Sequence, residues 1–418
     1  MIMAQSDKMP PAIVVSGFTM ALGVVRALGT MGVRVIVLHY DRRDTAHLSR
    51  WCSHHISVPH PEHRESEFIE SLIGCADRFG GGVLFPVSDE SVVAVARNTD
   101  TLQRHYTVAC PPWRIARLFI DKQCTYALAE ANGVPAPSTF VPSSVEDVEA
   151  YGSRVGFPCL VKPCQSHLFY ERFHRKMFPV SNAGEMVSVY RQARDAGLGV
   201  MLQEIIPGDD THVVNYNAYF HQGMPALEFT AEHVRNAPPL WGSPRVIMSK
   251  DVPEVIEPGR RLLRAMGFDG YACTEFKRDS RDGVYKLMEV NGRHNLSTLL
   301  AVGCGVNFPW LHYRHLAFGE LPSARDFRKG VYWIDLTRDV GYSARYLRTE
   351  RYSPAQYIKP YRCPHVFAIL DPRDPRPFIK RCTFLILEAL RGVIAAFRGS
   401  HRKPGLSGLR DRLRAGKA

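Results

Sequence analysis

Apolar positions in the first part of the chain follow two different spacings. Continuous, mainly β-branched runs at Ala12–Val15 and Val33–Leu38 predict buried strands, whereas small and apolar residues recur at helical spacing over Thr19–Met31. By the same criteria we predict further strands and helices before residue 112, at His54–Val58, Glu65–Arg78, Gly82–Pro86, Glu90–Arg97 and Tyr106–Ala109. Strands that alternate with helices indicate a parallel sheet, whose ligand site usually lies at the carboxyl ends of the strands.

The pattern changes after Pro111-Pro112, where we place a domain boundary. Asp121 is a predicted N-cap, and residues 212–250 are extended and interrupted by turn signals. The elements predicted beyond the boundary are helices at Lys122–Asn132, Ser144–Arg154, Ala183–Ala196 and Pro253–Met266, and strands at Pro158–Pro163, Met177–Val180, Val200–Ile206, Tyr271–Lys277, Val284–Val290 and Tyr332–Leu336. The fold class is therefore α/β, with a Rossmann-like domain at 1–112, a second domain at 113–322 and a C-terminal extension at 323–418.

Composition excludes several classes of protein. Of 418 residues, 45% are hydrophobic and 22% charged, which is typical of globular chains and not of disordered or fibrous ones. The ten cysteines are scattered without a CxxC pair, which favours reduced thiols in the cytosol over a disulfide framework. The apolar stretch Ala12–Val15 is too short for the core of a signal peptide, and no run is long enough to span a membrane. We therefore expect a cytoplasmic protein.

Net charge is +12, and about half of this excess lies in residues 398–418. A nucleic-acid-binding protein would be expected to carry its basic residues on a folded face, so we expect no nucleic-acid partner. Just before this basic tail, residues 377–397 form a strongly apolar predicted helix. Such a helix could lie on the anionic inner face of a membrane or dock on the protein itself, and the sequence leaves both readings and a homo-oligomer open.

The glycines after the first strand argue against a dinucleotide site. Gly17, Gly23 and Gly29 are spaced six apart, which does not match GxGxxG, and the second strand is not followed directly by an acidic residue. An NAD-dependent oxidoreductase is therefore disfavoured.

Five charged positions in the middle of the chain form the strongest chemical signal. Glu275 and Glu289 lie on two successive strands, and the period of two places Glu289 and Asn291 on one face. Carboxylate and amide oxygens of this kind suit Mg²⁺ or Mn²⁺, which also bind phosphate oxygens. Lys162 ends an apolar strand, and together with Lys122 and Arg293 it could neutralise phosphates. Singly, each of these side chains could equally be a solvated surface group.

The order of these residues resembles the ATP-grasp superfamily of carboxylate–amine ligases, over about Ala116–Pro309. Within it the chain is most similar to bacterial ligases related to D-aspartate ligase and to carbamoyl-phosphate synthase-like proteins. The segments that carry the resemblance are Phe85-Pro-Val-Ser-Asp-Glu90, Asp121-Lys122, Phe157-Pro-Cys-Leu-Val-Lys-Pro163, Gln203-Glu-Ile-Ile-Pro-Gly208 and Glu289-Val-Asn-Gly-Arg293. The resemblance implies a Rossmann-like domain followed by two α+β subdomains that enclose ATP, the smaller at about 135–206.

The resemblance also implies roles by position. Two lysines would bind the phosphates of ATP, a hinge would hold the adenine, an aspartate would lie near the ribose, and oxygen ligands would hold one or two metal ions. Lys122 and Lys162 would bind the phosphates, and Gln203 to Ile206, with Glu204, would form the hinge. The aspartate near the ribose would be Asp209 or Asp210, and the metal ligands would be Glu275, Glu289 and Asn291. Arg293 would contact the transferred phosphoryl group and the acyl phosphate. The implied reaction joins a small-molecule carboxylate to an amine and releases ADP and phosphate.

One segment departs from this pattern. Many members carry a glycine-rich loop over the phosphates, whereas Cys164–Lys176 contains no glycine. Basic side chains such as His167, Arg172 or Lys176 could replace the loop's function, or the segment could be an ordinary basic surface loop. The second reading favours an alternative function, a degenerate ATP-binding protein with a regulatory or assembly role. For the acceptor substrate, the candidates are His294–Thr298, His233, Arg235 and Trp241.

Overall fold

A computed structural model describes residues 9–175, 177–321, 323, 325–346 and 352–399. The side chains of residues 153, 154, 166, 167, 345, 346 and 392–399 are not part of this description. The predicted basic tail from residue 400 onward and the candidate lid residue Lys176 lie outside the described residues, as does the side chain of His167.

The first part of the chain forms a five-stranded parallel sheet with helices on its faces. The strand order is β3-β2-β1-β4-β5. In chain order the elements are β1 Ala12–Val15, α1 Thr19–Gly29, β2 Val35–His39, β3 Cys52–Ser57, α2 Glu65–Phe79, β4 Val83–Pro86, α3 Asp89–Arg97, α4 Thr99–Leu102 and β5 Thr107–Val108. Every residue of β1 is buried because helices cover both faces of the sheet, as its continuous apolar run predicts.

Two helices connect this sheet to a four-stranded antiparallel sheet of order β6-β9-β7-β8. The elements are α5 Trp113–Ile120, α6 Lys122–Ala131, β6 Thr139–Phe140, α7 Val145–Val155, β7 Cys159–Pro163, α8 Ser166–Phe173, β8 Phe178–Val180, α9 Ala183–Asp195 and β9 Val200–Glu204. The expected loop at 164–176 is wrong for its centre, where α8 forms. Without glycine this stretch has no helix breaker, and Phe169 anchors α8 in the core.

The remaining strands build a seven-stranded sheet of order β14-β13-β10-β11-β12-β15-β16. All neighbouring strands are antiparallel except β15 and β16. The elements are β10 Val213–His221, β11 Met224–Ala237, β12 Ser243–Ser249, α10 Ile256–Met266, β13 Gly270–Arg278, β14 Tyr285–Asn291, α11 Thr298–Gly303, α12 Phe308–Phe318, β15 Tyr332–Ile334, α13 Leu336–Tyr346, α14 Pro354–Arg362, β16 His365–Phe367 and α15 Arg376–Gly399. The chain beyond residue 322 thus contributes strands to this sheet.

A buried ion cluster fastens α13 to the seven-stranded sheet. Asp339 accepts hydrogen bonds from Nε and Nη2 of Arg235, at 2.9 and 2.8 Å, and its Oδ1 lies 3.0 Å from Nε of Arg245. All three side chains are fully buried. Arg235 was a candidate for the acceptor site, and that prediction is wrong because this ion cluster holds its guanidinium.

The His312 imidazole on α12 is buried against Phe85 and Tyr219. Its Nδ1 has no hydrogen-bond partner among the described residues. Burial, together with the neighbouring His315, lowers the pKa of His312 to about 3. The folded protein therefore keeps this imidazole neutral over most of the acid range.

Substituting His312→Leu should make stability less sensitive to acid. Below about pH 6.5 the unfolded chain binds a proton at His312 that the folded chain refuses until about pH 3. This difference costs the wild-type protein stability as the pH falls, by up to about 1.4 kcal/mol per pH unit. Urea unfolding at pH 7, 6 and 5 would measure the slope, with His54→Leu at an exposed imidazole as the control. Equal slopes for His312→Leu and the wild type would contradict the assignment.

Candidate active site

A cavity of about 360 Å³ lies between the four-stranded and seven-stranded sheets. Lys162 enters it from β7, Glu275 from β13 and Glu289 from β14, and Met20 of α1 closes one side. The lining also includes Lys122, Glu204, Ile206, Trp241, Lys277, Asn291, Arg293, Asn295, Leu296 and Ser297. The structure thus brings together most of the residues singled out in the sequence, although they are up to 171 positions apart between Lys122 and Arg293.

Strands β13 and β14 place the two predicted carboxylates side by side. Glu275 pairs directly with Glu289 in the antiparallel register, and Cys273 pairs with Asn291. Glu289 accepts hydrogen bonds from Lys122 Nζ at 2.9 Å and from the Asn291 amide at 3.2 Å. Burial alone would lower the pKa of Lys122, but the Glu289 carboxylate outweighs it and raises that pKa, so Lys122 is a cation.

This donor set fits a hard divalent cation. Two carboxylates and an amide oxygen converge on one end of the cavity, and Mg²⁺ completes such a set with water or phosphate oxygens. Among the described residues, no group of three His, Cys, Asp or Glu side chains is arranged to hold a metal by itself. The remaining ligands would therefore come from Asn291 and from a bound phosphate.

Lys162 faces these carboxylates across the cavity. Its ammonium is buried and donates to Gln203 Oε1 at 3.0 Å, with the Tyr126 hydroxyl at 3.4 Å. Gln203 is fully buried and does not itself line the cavity, so its side chain orients Lys162. Tyr126 donates in turn to the Met288 carbonyl, which fixes the hydroxyl between β7 and β14. No pattern in the sequence indicated a role for Tyr126.

The predicted hinge lies at the far end of the cavity, at Glu204, which ends β9, and at Ile206 just beyond it. Arg281 Nη2 lies 3.0 Å from one Glu204 oxygen, and the Ser138 N–H donates to the other at 3.0 Å. Burial would raise the pKa of Glu204, but these contacts together with Lys286 lower it. Glu204 is therefore a carboxylate held in one orientation beside the hinge.

Asp210 departs from its predicted place beside the ribose. It does not line the cavity, because its two oxygens accept the backbone N–H groups of Asn236 at 2.8 Å and Leu240 at 2.7 Å. This carboxylate orders the turn that follows β11. Asp209, the alternative, caps the next turn through Thr211 and is exposed.

Arg293 reaches the cavity from the end of β14 and is held by the first domain. Its Nε donates to Asp89 Oδ1 at 2.6 Å. Burial would raise the pKa of Asp89, but the Arg293 guanidinium outweighs it and lowers that pKa, so the two groups are a charged pair. Asp89 begins α3, directly after β4, at the carboxyl edge of the parallel sheet. That position was a signal for a functional residue, although the sequence assigned Asp89 no role.

Comparisons with known proteins agree with this architecture. No family model matches the sequence. The D-aspartate ligase of Enterococcus faecium is 24% identical over 266 residues, which cover 58% of this chain and 62% of that protein. The D-alanine–D-alanine ligase of Pseudomonas entomophila is 24% identical over 205 residues, which cover 46% of this chain and 62% of that protein. The chain thus matches about three fifths of the length of each.

Solved structures align over a larger share of the chain. A biotin carboxylase from Campylobacter jejuni superposes with a TM-score of 0.62 and 16% identity, over 77% of this chain and 74% of that one. The L-amino acid ligase of Bacillus licheniformis superposes with a TM-score of 0.59 and 14% identity, over 74% of this chain and 74% of that one. The chain has the ATP-grasp fold.

The other side of this ATP-grasp cavity contains the candidates for an acceptor site. Asn295, Leu296, Ser297 and Trp241 line it. His294 does not, because its ring turns away and stacks on Tyr271 in the core.

His233 is buried behind the lining of the same cavity, with Nε2 at 3.7 Å from Glu275 Oε2 and Nδ1 at 2.9 Å from Asn236 Oδ1. Burial lowers the pKa of His233 to about 4, so it supports the sheet as a neutral ring.

Proposed function

We propose that this protein is an ATP-dependent ligase that joins a carboxylate to an amine. The observation that carries the proposal is the pairing of Glu275 with Glu289 in a cavity that also contains Lys122, Lys162 and Arg293. Two carboxylates that can hold a metal, opposed by three cations that can neutralise phosphates, suit phosphoryl transfer by positioning and charge. The names of the two curated relatives, both ligases, support the same reaction class.

In the proposed reaction a carboxylate oxygen of the first substrate attacks the γ-phosphorus of ATP, and ADP leaves. The amine nitrogen of the second substrate then attacks the acyl carbon, loses a proton, and displaces phosphate to leave an amide. Lys122 and Lys162 bind the phosphates, and Arg293, oriented by Asp89, neutralises the transferred group. Glu275, Glu289 and Asn291 would hold Mg²⁺, which would supply positive charge against the phosphates. Backbone groups at Ile206, beside Glu204, hold the adenine.

The substrates we propose are small. The matched relatives are named for D-aspartate and D-alanine, which points to an amino acid as one of the two. The cavity offers Asn295, Ser297 and Trp241 on its acceptor side. These side chains can donate and accept hydrogen bonds and form an aromatic wall around the substrate. None of the three is charged, so they cannot neutralise a charged group of the substrate.

The test is release of ADP and phosphate from Mg·ATP by the full chain. Pools of D- and L-amino acids and of small carboxylates would be supplied with and without an amine pool, beside a Lys162→Met variant. Release that needs one carboxylate pool and disappears in the variant would support the ligase. ATP binding without release from any pool would instead favour a degenerate ATP-binding protein with a regulatory or assembly role.

We further propose that α15 contacts an anionic membrane surface. Ile379, Ile386 and Leu390 recur at helical spacing on one side of α15, and each is more than half exposed. Arg391 lies on another side, beside Glu388, and residues 400–418 carry six Lys or Arg against one Asp. An apolar side flanked by basic charge complements an anionic lipid surface. None of the helices in the described part of the chain has both the length and the apolar character needed to span a bilayer.

Sedimentation with vesicles tests this contact. The full chain should bind phosphatidylcholine vesicles that contain phosphatidylglycerol, and bind them less at high salt. Ile386→Asp with Leu390→Asp should weaken binding by about tenfold or more, since each buried side chain contributes about 1.5–3 kcal/mol. Met224→Asp, at an exposed turn, is the control. Absence of vesicle binding would overturn the proposal, as would concentration-dependent self-association that the double variant abolishes, because a second copy would then cover this side.

A further inference from the structure

Lys277 lines the cavity but belongs to none of the groups described so far. It lies on β13 two residues beyond Glu275, so the two side chains share a face of the strand, about 7 Å apart along it. Its neighbours across the sheet are Val213, which follows the hinge, and Lys286 on β14. Lys277 therefore lies between the paired carboxylates at one end of the cavity and Glu204 and Ile206 at the other.

Lys277 is a buried residue whose side chain lines the cavity. It is only 8% exposed, and no hydrogen bond or ion pair joins its Nζ to another residue that the structure describes. Four carboxylates lie in its surroundings, those of Asp210, Asp209, Asp279 and Glu275. The first three of these carboxylates are engaged elsewhere: Asp210 by backbone amides, Asp209 by Thr211, and Asp279 by Arg281 and Lys286.

A buried, unpaired charge is costly to the fold, and it persists where a ligand supplies the missing partner. An ammonium group has three donors and no acceptor, so it recognises oxygen atoms rather than the N–H groups of a base. Between the metal-binding end and the hinge, a bound nucleotide presents such oxygens on its ribose and its α-phosphate. An apolar side chain at position 277 would leave these oxygens without a donor from β13.

We propose that the Lys277 ammonium binds an oxygen of the ribose–α-phosphate segment of the nucleotide. This inference rests on the proposed function, in that it takes the cavity to be the nucleotide site. It adds a third lysine to the site and assigns it to the part of the nucleotide that the reaction leaves unchanged. Lys277 is accordingly a nucleotide-binding residue whose loss should affect affinity more than the rate of the chemical step.

Calorimetric titration of the full chain with ADP and Mg²⁺ tests the proposal without the unknown substrates. Lys277→Met removes the ammonium and keeps an apolar chain of similar length. It should weaken ADP binding about 10- to 100-fold, as expected for one charge-assisted hydrogen bond. Lys329→Met, at a half-exposed lysine outside the cavity, should bind ADP as the wild type does. Lys277→Arg, which keeps the charge, should lose less affinity than Lys277→Met.

Thermal unfolding without nucleotide separates this role from a structural one. Because the buried ammonium is unpaired, Lys277→Met should be at least as stable as the wild type in the absence of ADP; a clear loss of stability would indicate that Lys277 supports the fold. Titration with adenosine and AMP then shows which oxygen is bound. If Lys277→Met loses affinity equally for adenosine and AMP, the ammonium binds the ribose. If it loses affinity for AMP alone, the ammonium binds the α-phosphate. Unchanged ADP affinity in Lys277→Met overturns the inference, whereas failure of the wild type to bind ADP overturns the proposed function itself.

Discussion

Replacing Glu289 by Gln is expected to lower ATP-dependent turnover by about 10²- to 10³-fold while leaving the fold intact. The substitution keeps the shape of the side chain but removes the charge that pairs with Lys122 and that would bind Mg²⁺. The Glu289 side chain is 40% exposed, so its loss of charge should be tolerated structurally. The Gln side chain still offers an oxygen that accepts the hydrogen bond from the Asn291 amide, which preserves the local geometry of β14.

The Mg²⁺ dependence of ADP affinity is the measurement that separates a metal ligand from a merely polar side chain. In the wild type, Mg²⁺ should strengthen ADP binding, and in Glu289→Gln this effect should be largely lost. Glu257→Gln, on the exposed side of α10, is the matched control and should keep it. If Glu289→Gln responded to Mg²⁺ as the wild type does, the metal site would have to lie elsewhere.

The largest effect on stability is expected for Asp339→Ala, at about 3–5 kcal/mol of the free energy of unfolding. This change leaves the guanidinium groups of Arg235 and Arg245 buried without their common carboxylate. The penalty comes from two desolvated charges, so Asp339→Asn, which fills the same volume, should recover only part of it. Neither variant touches the cavity.

Urea unfolding monitored by circular dichroism measures this effect. Asp195→Ala is the matched control, because its side chain is 67% exposed beside Arg194 and surface ion pairs contribute about 0–1 kcal/mol. A loss below about 1 kcal/mol for Asp339→Ala would mean that water or another carboxylate reaches the arginines, and the cluster would then not fasten α13 to the sheet.

Local periodicity was sufficient to place the proposed metal ligands next to one another. Two adjacent strands with a short turn between them must pair, and a period of two then sets Glu275, Glu289 and Asn291 on one face. Lys162 could be found because a lysine in an otherwise apolar strand is unusual. These predictions needed only the pattern within about 20 residues of each position, together with the order of the segments.

Contacts between distant segments could not be predicted in this way. Asp89 and Arg293 are 204 residues apart, and nothing in either local pattern indicates that they pair. Asp210 was placed by its nearness to the hinge, but its carboxylate is taken by backbone amides of a turn whose shape the sequence does not reveal. Lys277 resembles an ordinary strand lysine in sequence, since its isolation becomes visible only once the surrounding strands are assembled.

The contact between Arg26 and Asp374 has a consequence for the order in which the chain folds during synthesis. Arg26 lies in α1 of the first domain and is buried, and its guanidinium donates to the Asp374 carboxylate and to the Ile369 carbonyl. The ribosome makes Asp374 348 residues later. Although N-terminal domains usually fold first, the segment that covers Arg26 reaches this one only after Asp374 has emerged. Until then the nascent first domain should leave this side of α1 uncovered and accessible to chaperones.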